Sequence, residues 1–251
     1  ISETFERCAK AGFETIAVTV DVQVAANREN NVRAGYNNPL RPTPQLAWDC
    51  MLRPKWLFGM FLKTLIKDGM PHVENMGPRV PLISKTALRG YGRRDRLTWR
   101  HVAHMRKIWK GKLLLKGVLH KDVVRMARDY GVDGVMVSNH GGRQLDGTVS
   151  PLRVLPGIRE AAGDKMAVIM DSGFRRGTDV LKALALGADF CFIGRPFLCA
   201  SAVGGQPAVE HAIKLLIDEI DRDMAMLGVN TIKEMNKSFL MPATGADFLN
   251  Q

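Results

Sequence analysis

What the chain lacks narrows it first. Its four cysteines, Cys8, Cys50, Cys191 and Cys199, never form a C-x-x-C pair, and no secretory leader is expected before them. Neither a disulfide framework nor a zinc site is therefore expected, and a reducing cytoplasm is the expected home. No run of 18 apolar residues occurs, so no helix is expected to span a bilayer. Acidic residues are nearly missing from one stretch: between Lys85 and Lys112, ten Lys or Arg accompany a single acid, Asp95, and most of the net charge of +11 sits there. With the remainder close to neutral, the pattern argues against a uniformly nucleic-acid-binding surface and for one local basic patch, and no nucleic-acid partner is expected.

What is present is alternation. The 251 residues, 46% hydrophobic, suffice for one large domain. Strand-like apolar runs that end in polar residues or glycine occur at TIAVTVD (15–21), LLLKG (113–117), GVMVSNH (134–140), AVIMDSG (167–173) and FCFIGR (190–195). Helix-like segments follow the second, third and fourth of these, with Gly131, Gly163 and Gly187 as their C-terminal stops. Such βαβα order predicts an α/β fold with a parallel sheet.

A full (β/α)8 barrel takes about 250 residues, yet only five strands are legible, because residues 37–110 show no βα pattern. The opening ISETFERCAKAGFE reads as the tail of a helix already under way. The expected architecture is a (β/α)8 TIM barrel of which this chain supplies about strands 4 to 8, its C-terminal portion, with a long insertion after strand 4. Three further βα units, roughly 30 residues each, would belong to a longer protein. A five-stranded open sheet complete in itself is the alternative.

Side chains alternate along a strand, so parity sorts the residues that reach one mouth of a barrel. Thr19 pairs with Asp21, Leu114 with Lys116, Ser138 with His140, and Ile169 with Asp171. Four strands each ending in an ionisable residue at matched parity are hard to obtain from core packing, where unpaired charge is expensive. The loops SGFRRGTD (172–179) and GRPF (194–197) follow what would be strands 7 and 8, where barrels bind phosphate through glycine N–H groups and a short helix. There Gly173 and Gly194 admit close approach, Arg175 and Arg195 supply charge, and Pro196 suits a first helical turn.

The segments SNHGGRQLDG, LLLKG, DSGFRRGTDVLKALALGA, FIGRPF and VTVDVQVAANRE resemble the FMN-dependent 2-hydroxy acid oxidases and dehydrogenases, the barrel family of glycolate oxidase, the lactate enzymes and mandelate dehydrogenase. DVQVAANRE and SGFRRG are closest to the mandelate dehydrogenase branch. The resemblance implies His140 as catalytic base, Asp21 behind it, and Arg143 and Arg28 holding the substrate carboxylate. It implies FMN contacts from Thr19, Lys116, Ser138 and Asp171, with Gly173, Arg175, Gly194 and Arg195 at the phosphate. The substrate would be a small 2-hydroxy acid, mandelate-like or L-lactate, and the protein a homo-oligomer, a tetramer. One departure lies after Asp21, where many members have Pro and Gly at the positions held here by Gln23 and Ala26.

In KWLFGMFLKTLIK (55–67), Lys55, Gly59, Lys63 and Lys67 recur every four residues, with aromatics and leucines elsewhere around the helix. A basic amphipathic helix of this kind reads as an interfacial anchor. The resemblance implies that the corresponding insertion, residues 41–95, is mobile and in some dehydrogenases attaches to a membrane, passing electrons to a quinone. The protein would then lie peripherally on the inner face of the plasma membrane. A loop helix with a solvated basic face is the alternative. Two other functions stay open on sequence alone: a flavin barrel isomerase of phosphorylated substrates, and a non-catalytic fragment acting on membrane or nucleic acid through its basic segment.

Overall fold

The computed structural model describes residues 2–22, 24, 26, 28–35, 41–73, 79–84 and 97–241; Gln23 and residues 85–96 of the basic run lie outside this description. The elements are α1 (Ser2–Lys10), β1 (Thr15–Thr19), α2 (Glu29–Arg33), α3 (Pro44–Met51), α4 (Pro54–Trp56), a π-helical turn (Leu57–Leu62), α5 (Lys63–Asp68), β2 (His72–Val73) and β3 (Val80–Pro81). They continue with α6 (Trp99–Ile108), β4 (Lys112–Val118), α7 (Lys121–Asp129), β5 (Gly134–Val137), α8 (Pro151–Ala162), β6 (Ala167–Met170), α9 (Gly177–Ala185), β7 (Phe190–Cys191) and α10 (Arg195–Met226). Two compact units result, one of Ile1–Val24 with Asp95–Gln251 and one of Ala25–Arg94.

In the larger unit the strands lie in the order β1-β4-β5-β6-β7, every pair parallel. Each strand therefore sits beside the next of its sheet in the chain. With crossovers of one hand, that winding sends every helix to the same face, as an arc of a barrel requires and a doubly wound sheet forbids. Leu113, Leu115, Val118, Val135, Val137, Val168 and Met170 point toward the helices and form one buried core with Val124, Ala127, Leu155, Ile158 and Ala183. The opposite parity, Leu114, Lys116, Met136 and Ser138, faces inward.

The expected helices and glycine stops are present: Gly131, Gly163 and Gly187 all adopt positive φ just after their helices. The strands end sooner than their apolar runs suggest. Asp21, His140 and Asp171 lie past the last ladder residue, so parity alone does not place His140, which turns at φ +58. The antiparallel pair β2–β3 was not legible, since two-residue strands carry no alternation. Helix 55–67 exists as the continuous run 54–68, with a π-helical middle. The wider turn stacks Trp56 on Phe61, five residues on, at 5.5 Å. Among the described residues no helix is long and apolar enough to cross a membrane.

One device occurs twice at the N-terminal ends of the strands. Arg106 of α6 donates to Asp133, which precedes β5, at 2.7 Å and to the carbonyls of Trp109 and Gly111; Asp133 also accepts the Leu113 N–H of β4 at 2.9 Å. Arg159 of α8 repeats this, donating to Asp189, which precedes β7, at 2.9 Å and to Gly163 and Met166, while Asp189 accepts Val168 N–H of β6 at 2.7 Å. Burial alone would raise the Asp133 pKa; the Leu113 amide, Lys112 and Arg106 outweigh it and hold the carboxyl below its ordinary 3.8.

Candidate functional site

At the other end of the strands a cleft of about 440 Å³ opens, lined by Lys116, His140, Arg143, Asp171, Arg175 and Arg195 among others. Lys116 comes from β4 with its ammonium on Ser138 Oγ at 2.8 Å and on the Asp171 carboxylate. Ser138, fully buried just past β5, also accepts the His140 backbone N–H at 3.1 Å. A buried hydroxyl thus accepts from two donors, and an apolar residue in its place would take this acceptor from the His140 N–H.

His140 points Nδ1 at Asp21 Oδ1, 3.4 Å away, leaving Nε2 as the ring nitrogen available to a substrate. Asp21 Oδ2 is buried and, among the described residues, has no partner. Gln144 steadies this carboxylate's backbone by donating to the Asp21 carbonyl at 3.0 Å. Asp21 fits only because of Gly117. That glycine stands at φ +98 where the register between β4 and β5 slips, and a Cβ on it would lie 2.5 Å from Asp21 Cγ. Bulges of this kind re-aim side chains beside active sites. Gly117 and Gln144 carried no assigned role in the sequence, although LLLKG and SNHGGRQLDG contain them.

Toward β6 and β7, the first turn of α9 is already capped. Asp179 accepts the Arg175 and Arg176 amides at 2.9 and 3.0 Å, and Glu219 accepts the Gly177 amide at 2.8 Å and pairs with Arg176. The Gly177 amide and then Arg176 hold the Glu219 carboxyl below its ordinary range, and Glu219 raises Arg176 in return. An anion here would therefore meet guanidinium groups and open backbone rather than the first amides of α9. A Cβ at Gly173 or Gly194 would meet nothing within 4 Å. Arg175 donates to the Phe174 carbonyl, and Arg195 reaches across the cleft to the Gly141 carbonyl, tying the histidine loop to α10. α10 starts at Arg195 with Pro196 in its first turn, as expected.

Of the sequence-predicted residues, Lys116, His140, Arg143, Asp171, Gly173, Arg175, Gly194 and Arg195 line this cleft, with Asp21 and Ser138 bonded to its lining. Thr19 ends β1 opposite Lys116. Arg28 belongs to the smaller unit, where it precedes α2. Among the described residues no cluster of His, Cys, Asp or Glu could hold a metal.

The model of one protein family, FMN-dependent dehydrogenase, matches residues 1–242. The chain belongs to the FMN-dependent dehydrogenase family. Its relatives in this family include an L-lactate dehydrogenase of Caulobacter sp. (strain K31), 36% identical over 93% of this chain and 61% of that protein. Another, from Pseudomonas entomophila (strain L48), is 34% identical over 96% and 63%. Among solved structures, a monotopic membrane protein, (S)-mandelate dehydrogenase, superposes with a TM-score of 0.85 at 31% identity, covering 96% of this chain and 64% of that one. A mandelate oxidase mutant with (S)-mandelic acid gives 0.70 at 29% identity, over 94% and 57%. The chain thus spans less than two thirds of the length of these relatives, and its five parallel strands are part of a TIM barrel. The cleft fits FMN, the cofactor of the family: its lining includes the cation of Lys116 and two arginines, Arg175 and Arg195, beside glycines with open space at both Cβ positions.

Proposed function

We propose that the protein oxidises an (S)-2-hydroxy acid to a 2-keto acid with FMN, the substrate being mandelate-like, with L-lactate its nearest competitor. The observation that carries this reading is the His140–Asp21 pair at the rim of the cleft that holds Lys116. In it, Arg143 holds the substrate carboxylate, for which a planar guanidinium gives bidentate geometry. His140 Nε2 accepts the proton that the substrate gives up, and Asp21 orients the ring and stabilises the imidazolium. Bound FMN supplies the two-electron sink. Lys116 would offset the negative charge that reduction adds to the flavin, and Ser138, Thr19 and Asp171 would help to hold the cofactor. Gly173, Arg175, Gly194 and Arg195 would hold the phosphate.

The test is the visible absorption spectrum of the purified protein, followed by anaerobic addition of mandelate and, separately, L-lactate. A flavin band bleached faster by mandelate is expected. A flavin band that neither acid bleaches would overturn the reading.

Residues 41–95 are proposed to hold the protein against a membrane, which would bring its electrons to a quinone. The smaller unit supports this with Phe58 and Ile66, 65% and 86% exposed, on the same helical run as exposed Lys55, Lys63 and Lys67. Replacing Phe58 and Ile66 by Asp is expected to lower binding to anionic phospholipid vesicles at low salt at least tenfold in a sedimentation assay. Unchanged binding would leave those side chains no part in it.

A further inference from the structure

Among the described residues only two other than glycine adopt left-handed backbone, His140 at φ +58 and Ser172 at φ +79, and both border the cleft. Strain of that kind gathers where a structure is over-determined by its other contacts. Glycine would adopt the Ser172 backbone freely, so what the serine adds is its hydroxyl. That hydroxyl donates to Asp171 Oδ1 at 2.8 Å and accepts the Gly141 N–H at 3.0 Å. The other Asp171 oxygen takes the Lys116 ammonium, which donates to Ser138 Oγ, and Ser138 Oγ accepts the His140 N–H.

These contacts close a ring. Starting from the His140 amide, it runs through Ser138, Lys116, Asp171 and Ser172 and returns to the amide of Gly141, the next residue in the chain. The peptide that carries the imidazole is held at both of its neighbouring N–H groups. The stretch needs such support, because His140, Gly141 and Gly142 are left-handed in succession, a conformation with no regular ladder of its own.

We infer that Ser172 is a positioning residue for His140, latching the histidine loop to the Lys116–Asp171 pair so that imidazole and ammonium sit in one rigid frame. This rests on the reading of His140 as the base. It also assigns a reason for serine where glycine would be unstrained. Without the hydroxyl, the Gly141 N–H loses its acceptor, and the loop keeps only its Ser138 contact and the Arg195 bond to the Gly141 carbonyl, neither of which links it directly to Asp171. The ring then swings relative to Asp21, and misplacement by about 1 Å is enough to slow a positioned reaction by up to about a hundredfold.

Ser172→Gly removes the hydroxyl and relieves the backbone, so it separates positioning from stability. The variant is expected to keep its Tm, its flavin spectrum and its KM, while kcat for 2-hydroxy acid oxidation falls about tenfold or more. Ser172→Ala, which loses the hydroxyl and keeps the strain, is expected to match that kcat at a lower Tm. In the flavin-free protein, the Gly141 amide is expected to exchange with solvent at least tenfold faster in Ser172→Gly than in wild type. Wild-type kcat in Ser172→Gly, or an equally protected Gly141 amide, overturns the inference. If the wild type oxidises no 2-hydroxy acid, the functional reading fails by itself and the exchange rate of Gly141 still decides the latch.

Discussion

His140→Ala is expected to bind FMN as wild type does and to reduce it with substrate roughly 10²–10⁴-fold more slowly, the range a positioned general base supplies. The two halves of that expectation come from different parts of the cleft. The groups read as holding the cofactor are Lys116, Asp171 and the Gly173–Arg175 and Gly194–Arg195 loops, and none of them needs the imidazole for its own contacts. His140 touches the rest of the site through its backbone N–H on Ser138, which alanine preserves, and through Nδ1 on Asp21, which alanine loses. Stopped-flow bleaching of the flavin band measures the rate, and the unbleached spectrum reports the retained cofactor. Reduction near the wild-type rate would remove His140 from the chemistry.

Gly117→Ala is expected to lose activity about a hundredfold although residue 117 is not among those lining the cleft. The added methyl group would stand 2.5 Å from Asp21 Cγ, and the backbone at φ +98 adds strain of about 1–2 kcal/mol for any residue with a Cβ. Asp21 must give way, since its own neighbour in β1 is fixed by pairing Thr19 with Lys116. The imidazole then loses the carboxylate that sets its orientation, and a shift of about 1 Å at such a pair costs about 10² in rate. Steady-state kinetics on the variant, set beside Asp21→Asn, check the route: both should lower kcat with the flavin still bound. Full activity in Gly117→Ala would show that Asp21 tolerates displacement.

Much of the site was legible because a barrel converts order in the chain into order in space. Lys116 and Asp171 lie where alternation along an apolar run puts them, and the glycine–arginine pairs 173–175 and 194–195 flank one cleft as their spacing implied. His140 was legible as a motif and not as geometry. Its strand ends at Val137, and a left-handed turn, invisible to any count of periods, brings the ring to Asp21. Ser172 and Gly117 were hidden for a related reason: their importance lies in a positive φ and a contact with a residue far away in the chain. The Arg106–Asp133 and Arg159–Asp189 clasps were hidden because charged residues in helices read as solvated surface until their partners are known. The π-helical turn at Leu57–Leu62 escaped because an α-helical count assumes the same turn throughout.

Those two clasps have an evolutionary corollary. Each one fastens a helix and a loop to the entry ends of two adjacent strands, and the second repeats the first after two more βα units, donor for donor. The sheet thereby carries a repeated fastening at one end of the strands, with the cleft-lining loops at the other. Selection can revise the His140, Ser172 and Arg175 loops without loosening that fastening. Units fastened in the same pattern could be duplicated or exchanged between barrels while the chemistry at the far rim is inherited or rewritten independently.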